Sequence, residues 1–208
     1  MIDFSQKPLF LAPMAGYSDL PFRAVVKKFG ADFTISEMIS ANALVFESKK
    51  SPKMLEKHES ESPFIVQIAG SDESVIKKAV LLLNGLEFID GIDFNCGCPM
   101  PKVVRQNAGA ALLENLELLK RLVSAIKTHS TKKSVSVKFR LGFKDKKAEL
   151  IARACEEAGA DFVAIHGRTA KQLYSGKADY ESIALAKKAV KIPIIANGDI
   201  DAHNASAI

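Results

Sequence analysis

The sequence predicts an α/β fold, a parallel (β/α)8 TIM barrel that stops after about seven βα units. Two observations carry that expectation. Short apolar runs rich in β-branched residues alternate with helical patterns along the whole chain, with no hairpin signal between them. The tetrapeptide Gly-Ala-Asp-Phe also occurs twice, at Gly30–Phe33 and Gly159–Phe162, each time where a helical pattern ends and a strand begins. A reused αβ junction is what a cyclic βα architecture produces. A doubly wound open sheet is the runner-up.

The candidate strands are Leu9–Pro13, Asp32–Ser36, Phe64–Ile68, Ile92–Asn95, Val135–Phe139, Phe162–His166 and Pro193–Ala196. Between them lie amphipathic segments. Phe22, Val25, Val26 and Phe29 recur at helical spacing and end at Gly30. Val75, Ile76, Ala79, Val80 and Leu83 follow a Ser71-Asp72 cap signal and stop at Gly85. Leu112, Leu116, Leu119, Leu122, Val123 and Ile126 repeat the stripe. A barrel needs eight strands and about 250 residues. With seven strands in 208 residues the chain is expected to be a single incomplete barrel domain, residues 1–208, of a longer protein.

Composition narrows the class. At 48% hydrophobic and 25% charged residues the chain reads as globular, and no apolar run reaches the roughly 20 residues of a membrane span. An early acid, Asp3, does not suit a signal peptide, so a cytoplasmic protein is expected. Three cysteines, Cys96, Cys98 and Cys155, are too few for a disulfide framework. A net charge of +5 is compatible with a polyanionic partner and equally with a plain Lys-rich surface.

In a barrel, catalytic groups follow the C-terminal ends of the strands. Those positions hold Pro13-Met14-Ala15-Gly16, Ser36-Glu37-Met38, Gln67, Asn95-Cys96-Gly97-Cys98-Pro99, Lys138 with Arg140, His166-Gly167-Arg168-Thr169 and Asn197-Gly198-Asp199. Polar groups at the ends of apolar strands cost free energy unless a partner satisfies them, and a shared ligand would do so. Each has a structural reading as well. Lys138 and Arg140 can pair with Asp93, Glu37 or Asp199, His166 can be a satisfied core histidine, and Cys98 an inert small apolar side chain. A zinc site is disfavoured, because one residue separates Cys96 from Cys98 and no second ligand pair lies nearby.

Taken in register, these segments resemble the tRNA-dihydrouridine synthase family, in particular its bacterial branch. Asn95-Cys96-Gly97-Cys98-Pro99 followed by Lys102-Val103 and Gly109-Ala110-Ala111-Leu112-Leu113 is the most specific stretch. Gln67-Ile68-Ala69-Gly70, Lys138-Phe139-Arg140, His166-Gly167-Arg168-Thr169 and Asn197-Gly198-Asp199-Ile200 complete the pattern.

The resemblance implies an oxidoreductase that binds FMN, takes electrons from NADPH or NADH and reduces uridines in tRNA. It assigns Cys98 as the proton donor. Pro13, Met14 and Ala15 would line the flavin, Gln67, Lys138 and His166 would bond its polar edge, and Asn197, Gly198 and Asp199 would reach the ribityl chain and phosphate. Asn95, Lys102, Arg105 and Arg168 fall to the substrate, and the target base would leave its stack. The family also carries an eighth strand with a phosphate clamp and a C-terminal helical tRNA-binding domain, which lie outside this sequence. The resemblance assigns no metal. An FMN-dependent dehydrogenase acting on a free pyrimidine such as dihydroorotate is the enzymatic alternative, and a non-catalytic RNA-binding module the other. The scarcity of aromatic stacking residues argues against the latter, with Trp absent and only three Tyr.

Overall fold

The computed structural model describes residues 2–46 and 51–208. The chain falls into two compact units, Met1–Phe94 with Ala125–Val135, and Asn95–Ser124 with Ser136–Ile208. Its strands are β1 (Phe10–Leu11), β2 (Phe33–Ile35), β3 (Ile39–Ser40), β4 (Phe64–Ala69), β5 (Gly91–Cys96), β6 (Ser134–Arg140), β7 (Phe162–His166) and β8 (Ile194–Asn197). The helices are α1 (Leu20–Lys28), α2 (Ala41–Phe46), α3 (Ser51–Leu55), α4 (Glu73–Asn84), α5 (Pro101–Val104), α6 (Leu116–His129), α7 (Ala148–Glu157) and α8 (Tyr180–Ala189).

In the first unit the strands pair in parallel in the order β1-β2-β4-β5. In the second they pair in parallel in the order β6-β7-β8. Within each unit every new strand is added on the same side as the last. A doubly wound sheet reverses direction at a switch point, and neither unit does. The fold class is therefore α/β of the TIM-barrel type, as the sequence predicts. All seven expected strands are present, shifted by a residue or two at their ends. The additional strand, β3, pairs with β4 just beyond β2 and so continues β2 after an interruption.

The duplicated tetrapeptide is a duplicated helix stop. Gly30 and Gly159 both take left-handed backbone, φ +95° and +92°. In each copy the following N–H reaches back five residues, Ala31 to the Val26 carbonyl at 3.3 Å and Ala160 to the Cys155 carbonyl at 3.0 Å. This is a Schellman closure, which favours Gly at its left-handed position. In both copies the Phe starts a strand, β2 or β7.

The expected stripe of α4 is buried in full, and Asp72 caps that helix by accepting the Val75 N–H at 3.0 Å. In α6, Leu119, Leu122, Val123 and Ile126 are buried, while Leu112 lies in a 3-10 turn ahead of the helix.

The expectation for α1 is corrected. Phe22, Val25 and Phe29 are exposed, Phe29 at 86%, and the buried positions are Arg23 and Ala24. The cause is a buried ion pair. Arg23 Nε donates to Glu61 at 2.7 Å, and its other nitrogens donate to the Ser18 and Glu56 carbonyls. Glu61 also accepts from the Thr34 hydroxyl and the His58 N–H. A buried guanidinium and carboxylate must be saturated in this way, so the pair, rather than the aromatic stripe, sets the helix face.

Candidate functional site

In the first unit, β4 carries Gln67 into the interior. Its side-chain amide donates to Asp93 on β5 at 2.7 Å, across a direct register pair. The Pro13–Ser18 turn follows β1. Ser18 folds it by accepting the Met14 N–H at 2.8 Å, which leaves Met14 and Ala15 exposed at its crest. The unit thus places Pro13, Met14 and Ala15 on one turn and Gln67 on a buried strand.

In the second unit, β6, β7 and β8 align Arg140 opposite His166 and His166 opposite Asn197. Lys138 shares the face of Arg140, since residues two apart on a strand point the same way. The structure therefore brings Lys138, Arg140, His166 and Asn197 together on one face.

His166 is neutral. Burial first, and then the charges of Arg140, Lys138 and Arg168, hold its pKa down at about 3. Arg168 Nη1 lies 3.4 Å from His166 Nε2. A guanidinium only donates, so Nε2 is the acceptor and Nδ1 carries the ring proton. Arg168 is itself buried, donating to the Ser175 and Gly176 carbonyls and to Asp199 at 2.7 Å. The same Asp199 oxygen accepts the Ala178 N–H at 2.8 Å. The Ala178 N–H first, and Arg168 with it, hold the Asp199 carboxyl below its ordinary pKa. Gly198 has φ +107°, and a Cβ there would stand 2.7 Å from the His166 ring. Only glycine lets the backbone pass that close.

Cys98 is held by three contacts. Asn95 Oδ1 accepts the Gly97 and Cys98 N–H groups at 3.1 and 2.9 Å. The Cys98 carbonyl accepts the Ala110 N–H at 2.9 Å. Arg140 Nε donates to the Gly97 carbonyl at 3.1 Å, and its Nη1 to the Thr169 and Leu173 carbonyls. Arg140 thus ties the cysteine turn to the polar row. Cys98 is partly exposed, whereas Cys96 and Cys155 are buried. Lys102 and Arg105, in and after α5, are exposed.

Two participants carry no motif of their own. Arg140 is expected from the sequence as a strand-end cation that can pair with Asp93, Glu37 or Asp199, whereas its bonds to the Gly97, Thr169 and Leu173 carbonyls depend on the fold. Tyr174 lies 5.7 Å from the Arg140 guanidinium and 6.2 Å from the His166 ring, with 76% of its surface exposed. A signal for it exists in its place on the loop after a site strand.

Among the described residues no group of three or more His, Cys, Asp or Glu side chains is placed to hold a metal. No helix there is long and apolar enough to cross a membrane.

Parallel βα units with polar groups at their strand ends define a protein of the TIM-barrel class, and comparison with known proteins specifies its family. The family described as dihydrouridine synthase (Dus) matches residues 10–208, and the chain belongs to that family of oxidoreductases. A Helicobacter pylori (strain ATCC 700392 / 26695) protein named "Probable tRNA-dihydrouridine synthase" is 54% identical over 96% of this chain and 62% of its own length. "tRNA-dihydrouridine synthase B" of Pseudomonas aeruginosa is 39% identical over 93% of this chain and 58% of its own. The chain thus spans about three fifths of the length of these relatives. Among solved structures, a variant of NCR from Zymomonas mobilis superposes with a TM-score of 0.59 at 14% identity, covering 96% of this chain and 77% of that one. That likeness is one of fold.

Proposed function

We propose that the whole protein is a flavin-dependent tRNA-dihydrouridine synthase, reducing the C5=C6 bond of uridines in tRNA with NADPH or NADH as the electron source. The observation that carries this reading is the Arg140 link between the Cys98 turn and the row of Lys138, His166 and Asn197. That link supports reading Cys98 as an acid beside a set of groups suited to a flavin.

The residues fit FMN. Pro13, Met14 and Ala15 offer an apolar turn for one ring face. Gln67, Lys138 and His166 offer hydrogen-bonding groups for its polar edge. Arg140, Lys138 and Arg168, which add to the effect of burial in keeping His166 neutral, make a positive field that would stabilise negative charge at N1/O2 on reduction. Asn197 and Gly198 would approach the ribityl chain and phosphate. Asp199 would contribute its backbone, since its carboxylate is engaged by Arg168 and Ala178.

When bound, the reduced flavin supplies the hydride for C6 of uracil. Cys98 Sγ gives its proton to C5 and regains one from water, acting as a general acid. Asn95 keeps that thiol in place and borders the uracil. Lys102 and Arg105 meet RNA phosphates, and Arg168, with its donors engaged, shapes the loop on the substrate side.

The test uses the full-length protein with tRNA. Cys98→Ala should leave reduction of bound flavin by NADPH nearly unchanged while abolishing dihydrouridine formation. Cys96→Ala should retain both. Equal loss in the two variants counts against the assignment. Activity on dihydroorotate with none on tRNA would favour the free-pyrimidine enzyme instead.

A further inference from the structure

Ser36-Glu37-Met38 separates β2 from β3. Ile35 of β2 stands opposite Ile65 of β4, and Ile39 of β3 opposite Ile68. Four steps on one strand thus match three on the other, so one extra residue is inserted there. This is a β-bulge, a feature that re-aims a side chain beside a site. Ser36 repairs the ladder: its N–H donates to the Ile65 carbonyl at 2.9 Å, and its hydroxyl accepts the Gln67 N–H at 3.0 Å while donating to the Glu37 carbonyl at 2.9 Å. Glu37 is thereby turned onto the Pro13–Ser18 turn, where its Oε1 accepts the Gly16 N–H at 2.6 Å. Gly16 has φ +82°, a conformation with little intrinsic preference for this one geometry.

We propose that Glu37 is a positioning residue for the cofactor: through the Gly16 amide it fixes the turn that presents Met14 and Ala15 to the flavin ring. This rests on the flavin reading above. Ser18 closes the turn on itself, but a turn closed only on itself can still swing about its ends. Glu37 is the contact that ties its crest to the strand next to Gln67. A turn that packs on one face of a rigid ring must be held before the ring arrives, or its ordering weakens binding.

The test compares Glu37→Ala, Glu37→Asp and Glu37→Gln in the full-length protein. Gln keeps an acceptor oxygen at the same reach, and Asp keeps the charge but falls one methylene short. Without FMN, the Gly16 amide should exchange with solvent about tenfold faster in the Ala and Asp variants and at the wild-type rate in Gln. FMN affinity, followed by flavin fluorescence, should fall roughly tenfold in Ala and Asp and be rescued in Gln, as for one hydrogen bond. Unchanged Gly16 exchange, or unchanged flavin affinity and visible spectrum, in both Ala and Asp would overturn the role of Glu37. A wild-type protein that takes up no flavin would instead overturn the reading of function and with it the ligand named here.

Discussion

Gln67 and Asp93 face each other across β4 and β5, and the amide nitrogen of one donates to the carboxylate of the other at 2.7 Å. Both are about 1% exposed. An ionised carboxylate can only accept, so the bond fixes which end of the Gln67 amide points at Asp93.

That orientation makes Gln67→Glu a severe change despite its size. It removes a donor and sets a second carboxyl against the first. The cost should be about 1–3 kcal/mol at neutral pH, the usual cost of removing one partner of a buried hydrogen bond. Like charges raise the pKa of one member of the pair, so a falling pH restores a shared proton and narrows the gap to wild type. Urea unfolding at pH 8 and pH 5 measures it; a gap of equal size at both would show that the carboxyls do not interact.

Asp179 caps α8, accepting the Ser182 N–H at 3.0 Å and the Ser182 hydroxyl and Lys146 ammonium at 2.6 Å each. Lys146 and Ser182 together hold its pKa down at about 2. The folded value is below the unfolded one near 3.9, so the contribution is present above about pH 4 and is lost as the pH falls towards 2. Asp179→Ala should cost about 1 kcal/mol at pH 7, the usual loss for a helix cap. Thermal unfolding at pH 7 and pH 2.5 should show the two proteins converging in acid.

His166 has the same sign for a different reason. Burial and neighbouring cations hold its pKa at about 3, below the unfolded value near 6.5. Its contribution is therefore complete above about pH 6.5 and declines as the pH falls towards 3. The ring resonances of His166 should not titrate between pH 8 and pH 5. The unfolding free energies of wild type and His166→Gln should draw together from pH 7 to pH 4. A His166 midpoint near 6.5 would show that neither burial nor the cations act on the ring.

The parts that the sequence made legible are those set by local pattern. Seven strands follow from apolar runs, and the Gly30 and Gly159 stops follow from a repeated tetrapeptide. The α1 face was misread because periodicity counts apolar residues. It cannot see that Arg23 has a carboxylate waiting 38 residues away at Glu61. The polar strand ends were legible as a list, but the register that seats Arg140 against His166 was not. Nor could the sequence reveal the bulge at Glu37, since the bulge is defined by how Ile35 and Ile39 pair with Ile65 and Ile68. Such features depend on pairing between distant segments.

Gly109 packs its backbone against the Cys98 turn. It has φ +58°, and a Cβ there would stand 2.7 Å from the Cys98 carbonyl and 2.8 Å from a Val103 methyl. The neighbouring Ala110 N–H donates to that same carbonyl at 2.9 Å. Gly109→Ala should thus move the Cys98 turn as well as cost about 1 kcal/mol or more for left-handed backbone. Gly109→Asn separates the two effects, because Asn tolerates that backbone yet carries the same Cβ. Alkylation reads the position of the thiol. In the native wild type, iodoacetamide should label Cys98, which is partly exposed, well ahead of Cys96 and Cys155, which are buried. Burial also pushes the Cys155 thiol far above its ordinary pKa, leaving little thiolate to react. If contact governs, Ala and Asn should both change the Cys98 labelling rate several-fold while Cys155 stays protected. If backbone strain governs, Asn should label like wild type and only Ala should lose stability. Wild-type labelling and stability in both variants would show that the turn yields without cost and that Gly109 does not hold Cys98.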